Sequence, residues 1–103
     1  FGRAWGLGRD ITDYIKGRGL QPKEKFLDFG SGALRNGIWL IKYLDTGNYY
    51  GIEHNTSMFE AGRDYELVLN GLQHKKPNLY NNVDGQPGLR QFGVKFDKIM
   101  AFA

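Results

Sequence analysis

The sequence contains no cysteine. Disulfides and thiolate metal sites are therefore excluded, and the composition suits a reducing compartment. No apolar run approaches the ~20 residues that span a bilayer, and no secretory signal pattern opens the chain. A soluble, cytoplasmic chain is the expectation. Charge of one sign is also in short supply, with 14 Lys and Arg against 11 Asp and Glu and a formal net charge of +3. The basic residues are scattered rather than blocked, so nucleic acid is not the expected main ligand. No spacing of His, Asp and Glu suggests a metal site. The only histidines are His54 and His74, and they fall on different elements. Repeats and low-complexity segments are absent.

What is present is globular in kind, with 41% apolar and 15% aromatic residues, so disorder is not expected. At 103 residues the chain is read as one small domain, residues 1–103, with a core but little room to spare. Position 1 is Phe and the last residues, Ile99-Met-Ala-Phe-Ala103, are apolar. Both ends are expected to be cut from something longer.

Leu7, Ile11, Tyr14 and Ile15 recur at helical spacing and predict an N-terminal helix within residues 1–20. Gly19 stands where a left-handed cap ends it, with Leu20 folding back on the last turn and Pro22 preventing continuation. The core of the fold is then residues 25–103. Lys25–Phe29 reads as a short strand, Leu34–Leu44 as a helix apolar on most of its surface, and Tyr49–Ile52 as a second strand. Ser57 and Glu60 read as a capping box opening a third helix that ends near Asn70-Gly71. Its inward face is expected from Phe59, Tyr65, Val68, Leu69 and Leu72. Asn78–Asn81 is a brief strand, 82–91 a loop with Asp84-Gly85 and Pro87-Gly88, and Phe96–Phe102 a final buried strand.

Strands alternating with helices predict an α/β fold. It is a partial doubly wound, Rossmann-like parallel sheet of three to four strands, with helices on both faces. The final strand belongs near the centre of such a sheet, so its open edge is a candidate for self-association. Ligands of open parallel sheets bind beyond the carboxyl ends of the strands, where the strand order reverses. Asp28–Arg35 and Glu53–Asn55 both fall there. Gly30 and Gly32 permit a tight turn and close approach of a ligand to the backbone. Glu53 ends the next strand about twenty positions on, where a carboxylate accepts hydrogen bonds from ribose hydroxyls.

Three cofactor classes use such a turn. No Gly-Lys-Ser/Thr follows, which excludes a P-loop. A dinucleotide site calls for Gly-x-Gly-x-x-Gly, yet Arg35 stands at the third position. An acid at Asp28 suits a ligand presenting a positive charge, such as the α-ammonium of a methionine moiety. That favours S-adenosylmethionine over NAD.

Phe26-Leu-Asp-Phe-Gly-Ser-Gly-Ala-Leu-Arg35, Tyr49-Tyr-Gly-Ile-Glu53, Met58-Phe-Glu-Ala61 and Phe96-Asp-Lys-Ile-Met-Ala-Phe102 together resemble the class I S-adenosylmethionine-dependent methyltransferases. The resemblance runs from about Arg9 to the last residue and implies the cofactor-binding half of such an enzyme, acting on an unidentified acceptor. It implies that Asp28, Phe29, Gly30, Ser31 and Gly32 cradle the methionine end of the cofactor. Glu53 would hold the ribose hydroxyls, with His54 beside the adenosine and Asn82 or Asp84 near the adenine amine. The chain departs from the family pattern in two ways. The common third glycine of the first motif is Leu34, and the family's seven-stranded sheet is reached only to its fourth strand. The resemblance names no catalytic residue, because positioning provides most of this catalysis.

Among other residues, Trp5, Trp39, Tyr14, Tyr49 and Tyr50 are of a type that stacks flat ligands, and periodicity assigns Trp39 and Tyr14 to the core. Arg3 and Arg9 flank Trp5 and are candidates for the cofactor carboxylate, while Arg35 reads as a surface residue. Two further readings stay open: a non-catalytic subunit that binds a nucleotide-like ligand or a partner, and a fragment of an NAD-dependent oxidoreductase.

Overall fold

The computed structural model describes residues 4–83 and 93–101, with side chains described from Arg9 onward. Helix α1 (Ala4–Gly17) is followed by β1 (Phe26–Phe29), α2 (Gly37–Tyr43) and β2 (Tyr49–Glu53). Next come α3 (Thr56–Ala61), a π-helical stretch (Gly62–Glu66), α4 (Leu67–Leu69), a 3-10 turn (Gln73–Lys75), β3 (Asn78–Asn81) and β4 (Lys98–Ala101). The four strands form one parallel sheet in the order β3-β2-β1-β4. The order reverses between β1 and β4, so the carboxyl end of β1 lies at the switch point. Among the described residues no helix is long and apolar enough to cross a membrane.

Helix α1 ends as its sequence dictates. Gly19 takes φ 107, and the Leu20 amide donates to the Ile15 carbonyl at 3.2 Å, closing a left-handed cap. Leu20 is thereby turned into the main core, where it meets Phe26, Leu40, Ile41, Leu44 and Tyr49. The crossovers from β1 to β2 and from β2 to β3 run the same way, which sets α2 and α4 on one face of the sheet. Where helices on both faces are expected, the described helices share that face. The opposite face is covered by Phe29, Val94 and Phe96, which pack on Leu27, Tyr50 and Ile52. Reciprocal bonds anchor the entry to β4: the Lys25 amide donates to Asp97 Oδ2 at 2.8 Å, and the Asp97 amide donates to the Lys25 carbonyl at 2.9 Å.

Several local expectations need correction. The second helix begins at Gly37 rather than Leu34, because Leu34 sits at φ 66, outside the right-handed helical region. The third helix is capped by Asn55, whose Oδ1 accepts from the Met58 amide at 3.0 Å, not by Ser57 with Glu60. Its inward face is not the expected one either. Leu72 is buried as expected and Phe59 half-buried, but Tyr65, Val68 and Leu69 are 61%, 48% and 64% exposed, and Gly62 and Leu67 are buried in their place. The wide turn of Gly62–Glu66 adds one residue to the helix, rotating everything after it by ~100°. Tyr14 is 66% exposed rather than core, while Trp39 packs against the core as expected. The final strand spans Lys98–Ala101, with Phe102 outside the described residues, and it is not buried as expected: Ile99 and Ala101 are exposed at the open edge of the described sheet.

Leu34 explains why the turn widens where it does. Its side chain is fully buried and lies against Gly62, where a Cβ would meet Leu34 Cγ at 2.8 Å and the Ala33 carbonyl carbon at 3.0 Å. Gly62 is what allows the helix to pass. Gly62→Ala is therefore expected to cost about 1–3 kcal/mol by overpacking. Gly17→Ala, which meets nothing within 4 Å, should be neutral or mildly stabilising. Urea unfolding of the two variants checks this, and equal stabilities would count against the packing described.

Candidate functional site

The sheet builds the site from three strand ends. Gly30 and Gly32 take φ 87 and 59, which side chains other than glycine rarely adopt, and fold the chain back over the end of β1. The turn is stitched to β2, since the Gly30 and Ser31 amides both donate to the Ile52 carbonyl, at 2.8 and 2.9 Å. Glu53 completes the connection. Its Oε1 accepts from the Gly32 amide and its Oε2 from the Asn55 amide, each at 2.8 Å. The Glu53 carbonyl accepts from the Asn82 amide and from Asn81 Nδ2, each at 2.9 Å, which draws in the end of β3. One buried carboxylate thus joins the glycine turn to the start of α3.

Asp28 lies on the central strand and is 3% exposed. The Tyr49 hydroxyl donates to its Oδ2 at 2.6 Å, and Oδ1 has no hydrogen-bond partner among the described residues. Gly37 leaves the space for this contact, because a Cβ there would come within 2.5 Å of the Tyr49 hydroxyl oxygen. Burial pushes the Asp28 carboxyl up to about 6; the Tyr49 hydrogen bond opposes that rise and the charge of Glu53 adds to it. Burial, with the Asp28 charge beside it, holds the Tyr49 hydroxyl well above its ordinary range, so it remains the donor.

Above this floor opens a cavity of about 480 Å³, lined by Asp28, Gly30, Ser31, Gly32, Ala33, Arg35, Asn36 and Met58. Of the residues singled out from sequence, Asp28, Gly30, Ser31 and Gly32 meet there. Phe29 does not, because strand alternation turns it to the opposite face, against Leu27, Tyr50 and Ile52. Glu53 lies behind the turn, and exposed His54 places Nδ1 3.5 Å from Glu53 Oε2. Asn82 is buried beside the end of β2, bonded through its backbone amide. Asp84 and Arg3 lie outside the described residues, as does the side chain of Trp5. Tyr49 and Tyr50 are not stacking platforms: both are buried, Tyr49 under Asp28 and Tyr50 edge-on to Phe96 with ring centroids 5.0 Å apart. Arg9 lines a different cavity, between α1 and α2.

Sequence reasoning missed Arg35, Asn36 and Met58. Arg35 and Asn36 had a usable signal, since they follow the glycine turn directly and precede the helix. Met58 had none, because only the Asn55 cap and the path of α3 bring its Cε within 3.1 Å of where a Gly32 Cβ would stand.

The buried carboxyl has a stability signature. Asp28 ionises near pH 4 in the unfolded chain and near 6 in the folded one, so between those values the folded state holds the extra proton. Its contribution is fully present below about pH 4 and lost as pH rises through about 6, by roughly 3 kcal/mol. Relative to Asp28→Asn, the unfolding free energy of the parent chain is expected to fall by about that amount across this window. Chemical denaturation at a series of pH values checks it, and a constant difference would argue against the burial of Asp28.

No protein-family model matches the chain, and no curated protein matches it in sequence. Solved structures do match in fold. The magnesium protoporphyrin IX methyltransferase of Synechocystis, solved with bound SAH, aligns at TM-score 0.63 and 17% identity over 92% of this chain and 40% of its own. An S-adenosylmethionine-dependent methyltransferase of Clostridium acetobutylicum aligns at TM-score 0.65 and 19% identity over 96% of this chain and 35% of its own. The YcgJ protein of Bacillus subtilis aligns at TM-score 0.62 and 17% identity over 98% and 38%. The chain therefore spans about two fifths of the length of the structures it matches. The strand order, the glycine turn at the switch point and these alignments agree: the chain has the class I methyltransferase fold.

Proposed function

We propose that this chain is the S-adenosylmethionine-binding portion of a methyltransferase whose acceptor is unidentified. The observation that carries the reading is Asp28, a buried carboxylate in the wall of the cavity at the switch point of the sheet, with one oxygen that has no partner among the described residues. A carboxylate so placed suits a ligand with an ammonium group. A pyrophosphate, as carried by NAD, would be repelled by it. The cavity volume of about 480 Å³ falls in the range of small-molecule sites.

The residues divide the work. Asp28, held by Tyr49, accepts from the methionine ammonium. Gly30 and Gly32 let the cofactor approach the backbone. Glu53 keeps its two amide bonds and still has lone pairs for ribose hydroxyls, since an ionised carboxylate offers about four acceptor positions. Exposed His54 and buried Asn82 flank Glu53 on the side assigned to the adenosine, with Asp84 assigned there as well. Arg35 lines the same cavity and is a candidate for the methionine carboxylate. When bound, S-adenosylmethionine supplies a methyl group already activated on a sulfonium, so orienting it provides most of the catalysis.

Calorimetry with S-adenosylmethionine, S-adenosylhomocysteine and NAD tests this. The first two are expected to bind and NAD is not; binding of NAD alone would overturn the reading. Absence of any binding would favour a non-catalytic chain that engages a partner instead. Asp28→Ala and Glu53→Ala are each expected to weaken S-adenosylmethionine binding by about 1–3 kcal/mol. Affinity should also climb as pH is raised through about 6 and Asp28 ionises, a climb that Asp28→Asn abolishes. Unchanged affinity in both alanine variants would place the site elsewhere.

A further inference from the structure

A second cavity, of about 310 Å³, lies between α1 and α2 and shares no residue with the first. Arg9, Thr12, Asp13 and Lys16 line it from α1, at the spacing of one helical face. Trp39, Lys42 and Tyr43 line it from α2. Three cations therefore face one carboxylate, and that carboxylate, Asp13, is itself drawn to Lys16 at 3.6 Å.

The cations are held in place. Lys16 Nζ sits 4.7 Å above the centre of the Tyr43 ring, and Lys42 Nζ 4.6 Å above that of Trp39. Tyr43 is itself fixed, its hydroxyl donating to the Leu20 carbonyl at 2.7 Å. Both ammonium groups thus line the cavity with their stems already ordered, so less side-chain entropy remains to be lost on binding.

Thr12 supplies a second and independent observation. It is 4% exposed, and its hydroxyl oxygen has no hydrogen-bond partner among the described residues. A buried hydroxyl left unpaired is costly, and such groups call for an explanation. Threonine on a helix divides between two χ1 rotamers, so a single turn about χ1 re-aims Oγ1, and Thr12 already lines the cavity.

We propose that this groove is a second ligand site, which takes a small phosphate monoester. Lys16, Lys42 and Arg9 donate to the phosphate oxygens, and the Thr12 hydroxyl adds a further bond. The volume exceeds that of a bare phosphate and leaves room for a sugar-sized group. Both ring faces already carry a lysine, so the ligand is held by charge rather than by stacking. The surplus of cations selects the anion.

The test is a titration of the chain with ribose phosphate, ribose and inorganic phosphate, followed by amide chemical shifts and calorimetry. Ribose phosphate is expected to bind at least tenfold tighter than ribose, with shifts concentrated in residues 9–16 and 39–43. Lys16→Gln and Lys42→Gln, both at exposed positions, should each weaken it tenfold or more. Asp28→Ala should leave this affinity unchanged, which separates the present site from the one proposed for S-adenosylmethionine. Thr12→Val should weaken binding while raising the melting temperature, because it deletes an unpaired buried hydroxyl. Equal affinity for ribose and ribose phosphate, shifts centred elsewhere, or unaltered binding in both lysine variants would each overturn the proposal.

Discussion

The hydrogen bond from Tyr49 to Asp28 is the constraint around which the molecule is arranged. A carboxyl group on an inner strand of a parallel sheet has polypeptide on both sides, so burying it calls for a hydrogen-bond partner. Its partner must come from the same face of the neighbouring strand, and Tyr49 reaches it from there. That reach places a hydroxyl where the first turn of α2 passes, and the helix can pass only because residue 37 is glycine. The same crowding continues outward through Leu34 to Gly62 and the wide helical turn. The floor of the site and the path of two helices thus follow from one buried polar contact.

The parts of this arrangement legible in the sequence are those governed by local chemistry. The strand carrying Asp28, the paired glycines, the second strand ending on Glu53 and the capped end of α1 follow from alternation, turn propensity and cap geometry. Asn78–Asn81 is placed correctly for the same reason, between a left-handed turn at Lys76 and the loop beyond. What could not be read is set by contacts between distant residues. Nothing in 56–70 announces that its helix will widen at Gly62, since the cause is Leu34, far earlier in the chain. Leu34 itself looked like the start of a helix, yet it occupies the left-handed conformation that a glycine would take at that position of the motif. Tyr49 and Tyr50 carried rings suited to stacking, and only the register of the sheet shows that both are enclosed.

The two carboxylates at the strand ends show how environment divides similar groups. Glu53 accepts a backbone amide on each oxygen and fastens the glycine turn to the start of α3. Asp28 accepts from Tyr49 through one oxygen, and the other has no hydrogen-bond partner among the described residues. The first ties loops together through both oxygens, while the second stands at the wall of a cavity. This contrast, rather than the presence of acids as such, is what makes the end of β1 the chemical centre of the site.

The topology also governs how the site comes into being. Every ladder in this sheet is parallel, so no strand meets its neighbour through a tight hairpin. The reciprocal bonds that seat β4 beside β1 join Lys25 to Asp97 across 72 positions of chain. Closing a loop of that length costs about 4 kcal/mol of chain entropy before any contact is gained, and sheets built from such distant pairings fold slowly. Asp28 acquires its second flanking strand only at that closure. The binding floor is consequently no local module that preorganises by itself. It forms with contacts that span most of the described chain, and a ligand held there reports on, and stabilises, the folding of the whole chain.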